Sequence, residues 1–367
     1  MSNPIFFMST KVICERNAII NYGSTMKSLG NTALIVTGKH SSKANGSLNH
    51  VLNSLKENNI EYHIFDAVEE NPSTATVSKI KAFGEGKHID FIIGIGGGSP
   101  IDASKAAGVL LSNPQADIED LFTNSNLSSI PIVAVPTTAG TGTETTPYSI
   151  LTDHSIRNKR GISPKIFPVV SFLDATYLMD TPINVTINTS IDALSHLIEG
   201  YLSTNANYFS NYLAESGLSL FSECISHISS ESISFEIREK LLISSSIAGM
   251  VISQSGTSIP HGMGYPLTYY HNIPHGKANG VLLKEYLEIY AKNDNNKVNK
   301  ILSLLNFSSL NEFGSFIDQL FASDFKITHD ELKNYASYMS SNEAKLKNHP
   351  YTLSYEDILQ IYEKSIK

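Results

Sequence analysis

The chain has 367 residues, long for one core, and with 41% hydrophobic and 17% charged residues its composition is that of an ordinary two-domain globular protein. A formal charge of -8 and a pI near 5.8 argue against nucleic acid or an anionic membrane as partner. Two cysteines, Cys14 and Cys224, exclude a disulfide framework, and their lack of C-x-x-C spacing fits a reducing cytosol.

The opening stretch MSNPIFFMSTKVICERN has no basic segment followed by an apolar one, and no later run approaches the roughly 18 apolar residues of a membrane span, so a cytoplasmic protein is expected. From residue 1 to about 180, short apolar runs alternate with helical patterns. ALIVTG (33–38) and EYHIFDAV (61–68) read as strands, with SLNHVLNSLKENN as the crossover helix between them. FIIGIG (91–96) and IPIVAVPT (130–137) continue the series, separated by a helix from Pro100 to Leu111. This alternation predicts a mostly parallel, Rossmann-like sheet that binds its ligand at the carboxyl ends of the strands.

Two loops there carry chemistry. In GIGGGSPIDASKAAGVL a buried strand ends in Gly96, Gly97 and Gly98; Ser99 is placed to cap the next helix, Pro100 suits its first position and Asp102 its first turn. Backbone amides freed of side chains at the positive end of a helix dipole make a site for phosphate or pyrophosphate. The spacing is not G-x-G-x-x-G, and the bland alternative is a tight turn without a ligand. VPTTAGTGTETTPYSILTD follows, where Thr137, Thr138, Thr141, Thr143 and Thr145 with Gly140 and Gly142 form a polar second wall or, alternatively, an ordinary surface loop.

From about residue 181 the pattern becomes helical without strands: FEIREKLLISSSIAGMVISQSG, LLKEYLEIYAKN, LNEFGSFIDQLF, HDELKNYASYM and YEDILQIYEKSI all have i, i+3, i+4 apolar spacing. Thr328 and Glu331 have the spacing of a capping box. The expected architecture is an α/β domain over 1–180 and an all-α domain over 181–367, with chemistry in the cleft between them.

The helical half carries a second constellation. Asp192 and His196 stand four apart in TSIDALSHLIEGYLS, so both leave one helix face. His261 and His275 each precede a glycine in HGMGYPLTYYHNIPHGKANG, whose Gly262, Pro266, Pro274 and Gly276 read as loops and helix starts able to turn two imidazoles inward. One carboxylate and three imidazoles suit Fe(II), Zn or another borderline divalent ion. Alone, a D-x-x-x-H is weak, because an acid in a first helical turn and a packed histidine have ordinary structural uses.

GGGSPID, PTTAGTGTE, DALSH and the HGMGYPL to PHGKANG pair, in this order and over nearly the whole chain, resemble the iron-containing (group III) alcohol dehydrogenases. The resemblance implies a nicotinamide dinucleotide on the N-terminal domain, a divalent metal on the helical one and a homodimer. Its metal ligands are Asp192, His196, His261 and His275; its pyrophosphate lies on Gly97, Gly98 and Ser99. Asn71 matches a position near the nicotinamide-side ribose, Thr137, Thr138, Thr141 and Tyr148 line the cofactor, and Lys159, beside Arg160, matches a lysine that reaches it.

Two departures stand out. Where many relatives have V-T-D, with an Asp for the adenosine ribose, this chain reads Val36-Thr37-Gly38-Lys39-His40-Ser41-Ser42-Lys43. Loss of that carboxylate, with hydroxyls and cations beside it, favours NADP(H) over NAD(H), and His40 is a further phosphate contact. Tyr265 replaces a second histidine four residues after His261; with an ordinary pKa of about 10 it is a hydrogen-bond donor rather than a proton shuttle at neutral pH, and His271 is the alternative proton carrier. His50, His63, His88, His154, His227, His329 and His349 are read as structural or solvent-facing.

The expected reaction is hydride transfer between a small primary alcohol or aldehyde and NADP(H). A metal-dependent lyase or cyclase of the dehydroquinate synthase-like type is the rival. Its highly anionic substrates call for extra cations near the metal helix, and residues 174–236 contain no Lys or Arg. A nucleotide-binding sensor, the third reading, would gain nothing from four convergent ligands.

Overall fold

The computed structural model describes residues 5–230, 232–321 and 325–366; Met1–Pro4, part of the opening stretch read above for a leader, lie outside them. The chain divides into two compact units. One comprises Met8–Pro182 and Ile233–Ser246; the other comprises residues to Phe7, Ile183–Ser232 and Ile247–Lys367. The division falls inside the Phe235–Ser255 helix.

The first unit is built on a six-stranded sheet in the order β1-β8-β5-β4-β2-β3, every pair parallel. Its strands are β1 (Lys11–Cys14), β2 (Thr32–Gly38), β3 (Glu61–Val68), β4 (Phe91–Gly96), β5 (Ile132–Pro136) and β8 (Val170–Leu173). β4 and β5 are buried along their whole length, which is why they read as continuous apolar runs rather than alternating ones. The Gly98–Ser112 helix covers this region with Ala103, Ala106, Ala107 and Leu110, packed in one core with Leu34, Ile92 and Ile132. Each such Leu or Ile stabilises the fold by about 1.5–3 kcal/mol relative to an exposed position.

From β2 the chain moves outward to β3, then returns to the other side of β2 as β4. Connections therefore diverge between the carboxyl ends of β2 and β4, the place where an open parallel sheet offers a crevice. Gly38 ends β2 and Gly96 ends β4. A separate antiparallel hairpin, β6 (Ile150–Asp153) with β7 (Asn158–Gly161), follows the threonine-rich loop and has no counterpart in the sequence reading.

In the second unit the described residues form helices and no strands. Its central helix, Ile183–Leu202, is buried continuously from Ser190 to Leu202. The Gly- and Pro-punctuated stretch read as loops and helix starts is largely one helix, Ile259–His271, with Pro266 inside it; a second, His275–Gly280, follows after Asn272 in the left-handed conformation. Proline and glycine propensities are outweighed there by burial, since residues 259–264 and 266–268 are all buried. The Thr328–Glu331 capping box is present, with reciprocal bonds of 3.3 and 2.8 Å.

Candidate metal centre and dinucleotide loops

Asp192 lies on the central helix of the second unit, His261 in the first turn of the Ile259–His271 helix and His275 at the first position of the next. Gly276 lets that short helix approach: a Cβ there would come within 1.7 Å of the Asn188 carbonyl oxygen, so only a bare Cα permits the crossing that sets His275 beside Asp192. Asp192 Oδ1 is 3.5 Å from His261 Nε2 and 3.8 Å from His275 Nε2, and one donor atom from each residue lies within 4.8 Å of the others. Tetrahedral bonds of about 2.1 Å would put ligand atoms about 3.4 Å apart. His261 Nε2 is buried and makes no hydrogen bond among the described residues, an orphaned lone pair or proton facing a carboxylate. The donor set therefore fits a divalent ion. His196, one helical turn beyond Asp192 and buried, joins by its ring, stacked on His261 at 4.4 Å between centroids, and not by a donor atom in the three-residue group.

Glu199, absent from the sequence reading, completes the arrangement. It lies on the same helix face as Asp192 and His196, is fully buried, and meets His261 Nδ1 at 2.5 Å while accepting from Ser258 N at 2.7 Å. A carboxylate behind a ligating imidazole fixes its tautomer and orientation. Burial would raise the Asp192 carboxyl, but His196, His275 and His261 hold it far below the ordinary carboxylate range. Burial likewise opposes charge on His261, yet Glu199 and Asp192 hold its pKa above the usual imidazole value. Tyr265 stacks on His275 at 5.8 Å, and the Lys345 ammonium sits 5.3 Å from the Tyr265 ring centre while bonding Thr257 Oγ1. His271 is held instead by Tyr335, at 2.8 Å.

In the first unit the predicted cofactor residues assemble from three separate stretches. The Gly98–Ser112 helix starts two residues earlier than the sequence implied, with Gly97 as its N-cap and no side-chain cap. Ser99 consequently lies inside the helix, and its hydroxyl accepts from Asn71 N at 3.1 Å rather than capping. Asn71 adopts φ 56°, its carbonyl accepts from Thr152 Oγ1 at 2.9 Å, and its side chain accepts from Lys159 Nζ at 2.8 Å. The hairpin thus carries Lys159 to Asn71 across 88 residues of chain. Gly97 faces Thr138 and Gly98 faces Thr141; a Cβ on Gly98 would stand 2.7 Å from Thr141 Cγ2. Thr137 continues from β5, its amide bonded to Gly96 O at 2.8 Å, and burial pushes the Tyr148 phenol up.

The loop after β2 is mixed. Lys39, His40, Ser41 and Lys43 are exposed, and Gly38 is half-buried. Ser42 is buried and its hydroxyl accepts from Thr37 Oγ1 at 2.8 Å, which sets it apart from its exposed neighbours. Lys43 pairs with Asp66 on β3 at 2.5 Å.

Lys105 was also missed. Fully buried, it donates to Thr143 O, Thr143 Oγ1, Thr146 O and Tyr148 O at 2.7–2.9 Å, while Asp102 bonds Thr143 Oγ1 at 2.5 Å and Ile150 N at 2.9 Å. The helix that begins at the glycines thereby fixes the threonine-rich loop. A lysine amid Ala103, Ala106 and Ala107, three residues after an aspartate, was the available signal.

A family model described as iron-containing alcohol dehydrogenase matches residues 9–175, and one for the C-terminal part of that family matches residues 186–366. The chain is 30% identical over 357 residues to an NADPH-dependent butanol dehydrogenase of Clostridium saccharobutylicum, covering 91% of each protein. It is 33% identical over 263 residues to a lactaldehyde reductase of Escherichia coli, covering 71% of this chain and 68% of that one. The crystal structure of an iron-containing alcohol dehydrogenase from Thermotoga maritima superposes with a TM-score of 0.93 at 39% identity, covering 99% of both chains. With sheet, loops and ligand cluster as described, the chain is an enzyme of the iron-containing alcohol dehydrogenase family.

Proposed function

We propose that the enzyme catalyses reversible hydride transfer between a small primary alcohol, or its aldehyde, and NADP(H), using Fe(II) or Zn held by Asp192, His196, His261 and His275. The observation that carries this reading is the convergence of Asp192, His261 and His275 within 4.8 Å around an orphaned imidazole nitrogen. A divalent ion there supplies a Lewis acid for the alcohol or aldehyde oxygen. Glu199, at His261 Nδ1, leaves Nε2 as the coordinating atom. Asp192, kept anionic by its imidazoles, brings negative charge to the ion. Tyr265, beside His275, offers a phenol hydrogen bond and not a neutral-pH proton relay.

On the α/β unit, Gly97, Gly98 and Ser99 at the helix N-terminus are the pyrophosphate seat, with Asn71, Thr137, Thr138, Thr141, Tyr148 and Lys159 around it. NADP(H) is favoured by Gly38 in place of a ribose-binding carboxylate, by exposed Lys39, Ser41 and Lys43, and by the NADPH dependence of the butanol dehydrogenase relative. A cytoplasmic homodimer is the expected form; among the described residues no helix is long and apolar enough to cross a membrane. The test is a panel of primary alcohols and aldehydes on metal-reconstituted protein, following cofactor absorbance with each nucleotide. Turnover that survives complete metal removal, or a clear NADH preference, overturns the corresponding half of the reading.

A further inference from the structure

We infer that Asn279 is a positioning residue of the metal centre: its side-chain amide ties Asp192 to His275 and, before an ion binds, holds His275 in the tautomer whose Nε2 is unprotonated. Asn279 lies one helical turn beyond His275 and is completely buried. Its Nδ2 donates to Asp192 Oδ1 at 3.1 Å and lies 3.2 Å from His275 Nε2. An amide nitrogen has two protons, so both contacts are made at once if His275 Nε2 accepts. That nitrogen is then unprotonated, with the ring proton on Nδ1, the tautomer an imidazole needs to bind an ion through Nε2; an arriving ion replaces the Asn279 contact there, and the amide bond to Asp192 Oδ1 remains to orient the carboxylate.

The opposite end of the amide is held by shape. Asn279 Oδ1 is buried without a hydrogen-bond partner among the described residues, an arrangement that costs free energy and calls for a compensating role at the other end. It lies against Gly264, where a Cβ would come within 2.1 Å of it. Gly264 therefore leaves room for the amide, and Asp192, which only accepts, sets the nitrogen and its protons on the side of the ligand cluster.

This rests on the metal-centre reading and is tested on metal binding rather than turnover. Metal-stripped wild type, Asn279→Ala and Gly264→Ala are titrated with Zn(II) against a chromophoric chelator, and Co(II) spectra are recorded for each. Loss of a partner behind a ligand weakens metal binding by about 10–100-fold, so Asn279→Ala is expected to bind Zn(II) that much more weakly, with a shifted Co(II) absorption band. Gly264→Ala, which displaces the amide without removing it, is expected to move affinity and spectrum in the same direction. It also serves if Asn279→Ala does not fold. Wild-type affinity within about twofold and an unchanged Co(II) spectrum in either folded variant overturn the role of Asn279; failure of wild type to bind either ion overturns the metal centre itself.

Discussion

The two functional regions of this enzyme are made of different material. On the proposed reading the dinucleotide loops rely on backbone: Gly97 and Gly98 stand at a helix start, and Lys105 secures the neighbouring loop through three carbonyl oxygens. The proposed metal centre relies on side chains: three donors from three helices, backed by Glu199. A backbone site fails when something is added to it, and a side-chain site fails when something is taken away. Their substitutions should therefore separate the two activities of binding a nucleotide and binding an ion.

The largest separation is expected at His275. Truncation to Ala removes a ligand atom and should lower kcat/KM by about 1,000-fold or more, since the Lewis acid supplies several kcal/mol of the barrier reduction. NADPH binding, measured by fluorescence titration, should stay near wild type. Joint loss of both would mean that the two regions are not separable. The same centre predicts a pH effect: with His261 held above the usual imidazole pKa by Glu199 and Asp192, protons compete with the ion, so Zn(II) affinity should rise from acid to neutral pH.

Gly98→Val is the converse experiment. Its added carbons meet Thr141, 2.7 Å from where a Cβ would stand, and should weaken NADPH binding by about 10–100-fold while leaving Zn(II) affinity unchanged. An NADPH affinity equal to wild type would remove the glycine turn as the pyrophosphate seat.

The two regions also differed in how plainly they could be read. Strands β2, β4 and β5 were legible because burial on both faces turns them into apolar runs, and Asp192 with His196 because four residues make one helical turn. What could not be read depended on partners distant in sequence. Lys159 meets Asn71 only because an unforeseen hairpin folds back, and Ser99 bonds Asn71 where local grammar made it a cap. Glu199 looked like any acid in the apolar run LIEGYL until His261 was placed against it. The Ile259–His271 helix was hidden by its own glycines and proline, which burial overrides.

Lys345 offers a smaller, pH-dependent test of the side-chain region. Burial pushes its ammonium down to about 8 from an ordinary 10.5, against the attraction of Glu199. Between these values the unfolded chain holds more protons than the folded one, so this group makes the wild type gain stability as pH rises from 8 to 10.5. Lys345→Met avoids the burial cost of roughly 3 kcal/mol. It forfeits the Thr257 bond and the Tyr265 contact, together about 2 kcal/mol. The variant should therefore be about 1 kcal/mol more stable than wild type at pH 7, as read by urea unfolding, with the advantage gone by about pH 9 and the order reversed near pH 10.5. A variant less stable at pH 7 would mean the lysine is a net stabiliser.

The smallest effect is expected at the Lys43–Asp66 pair beside the β2 loop. Both side chains are about half exposed, 49% and 47%, so their mutual attraction is worth no more than about 1 kcal/mol despite the 2.5 Å separation. A 2′-phosphate, with close to two charges and three acceptor oxygens, competes for Lys43 against a single carboxylate. Asp66→Asn leaves Lys43 and Lys39 unopposed and should move the kcat/KM ratio toward NADPH over NADH by about 2–5-fold, within the reach of an exposed pair. Lys43→Gln should move it back by a similar factor, and high salt should shrink both shifts because the groups are open to solvent. A shift toward NADH in Asp66→Asn would overturn the role of Lys43, whereas a shift toward NADPH that came wholly from a lower kcat/KM for NADH would place the adenosine ribose against Asp66 itself, making that carboxylate the counterpart of the one missing at Gly38.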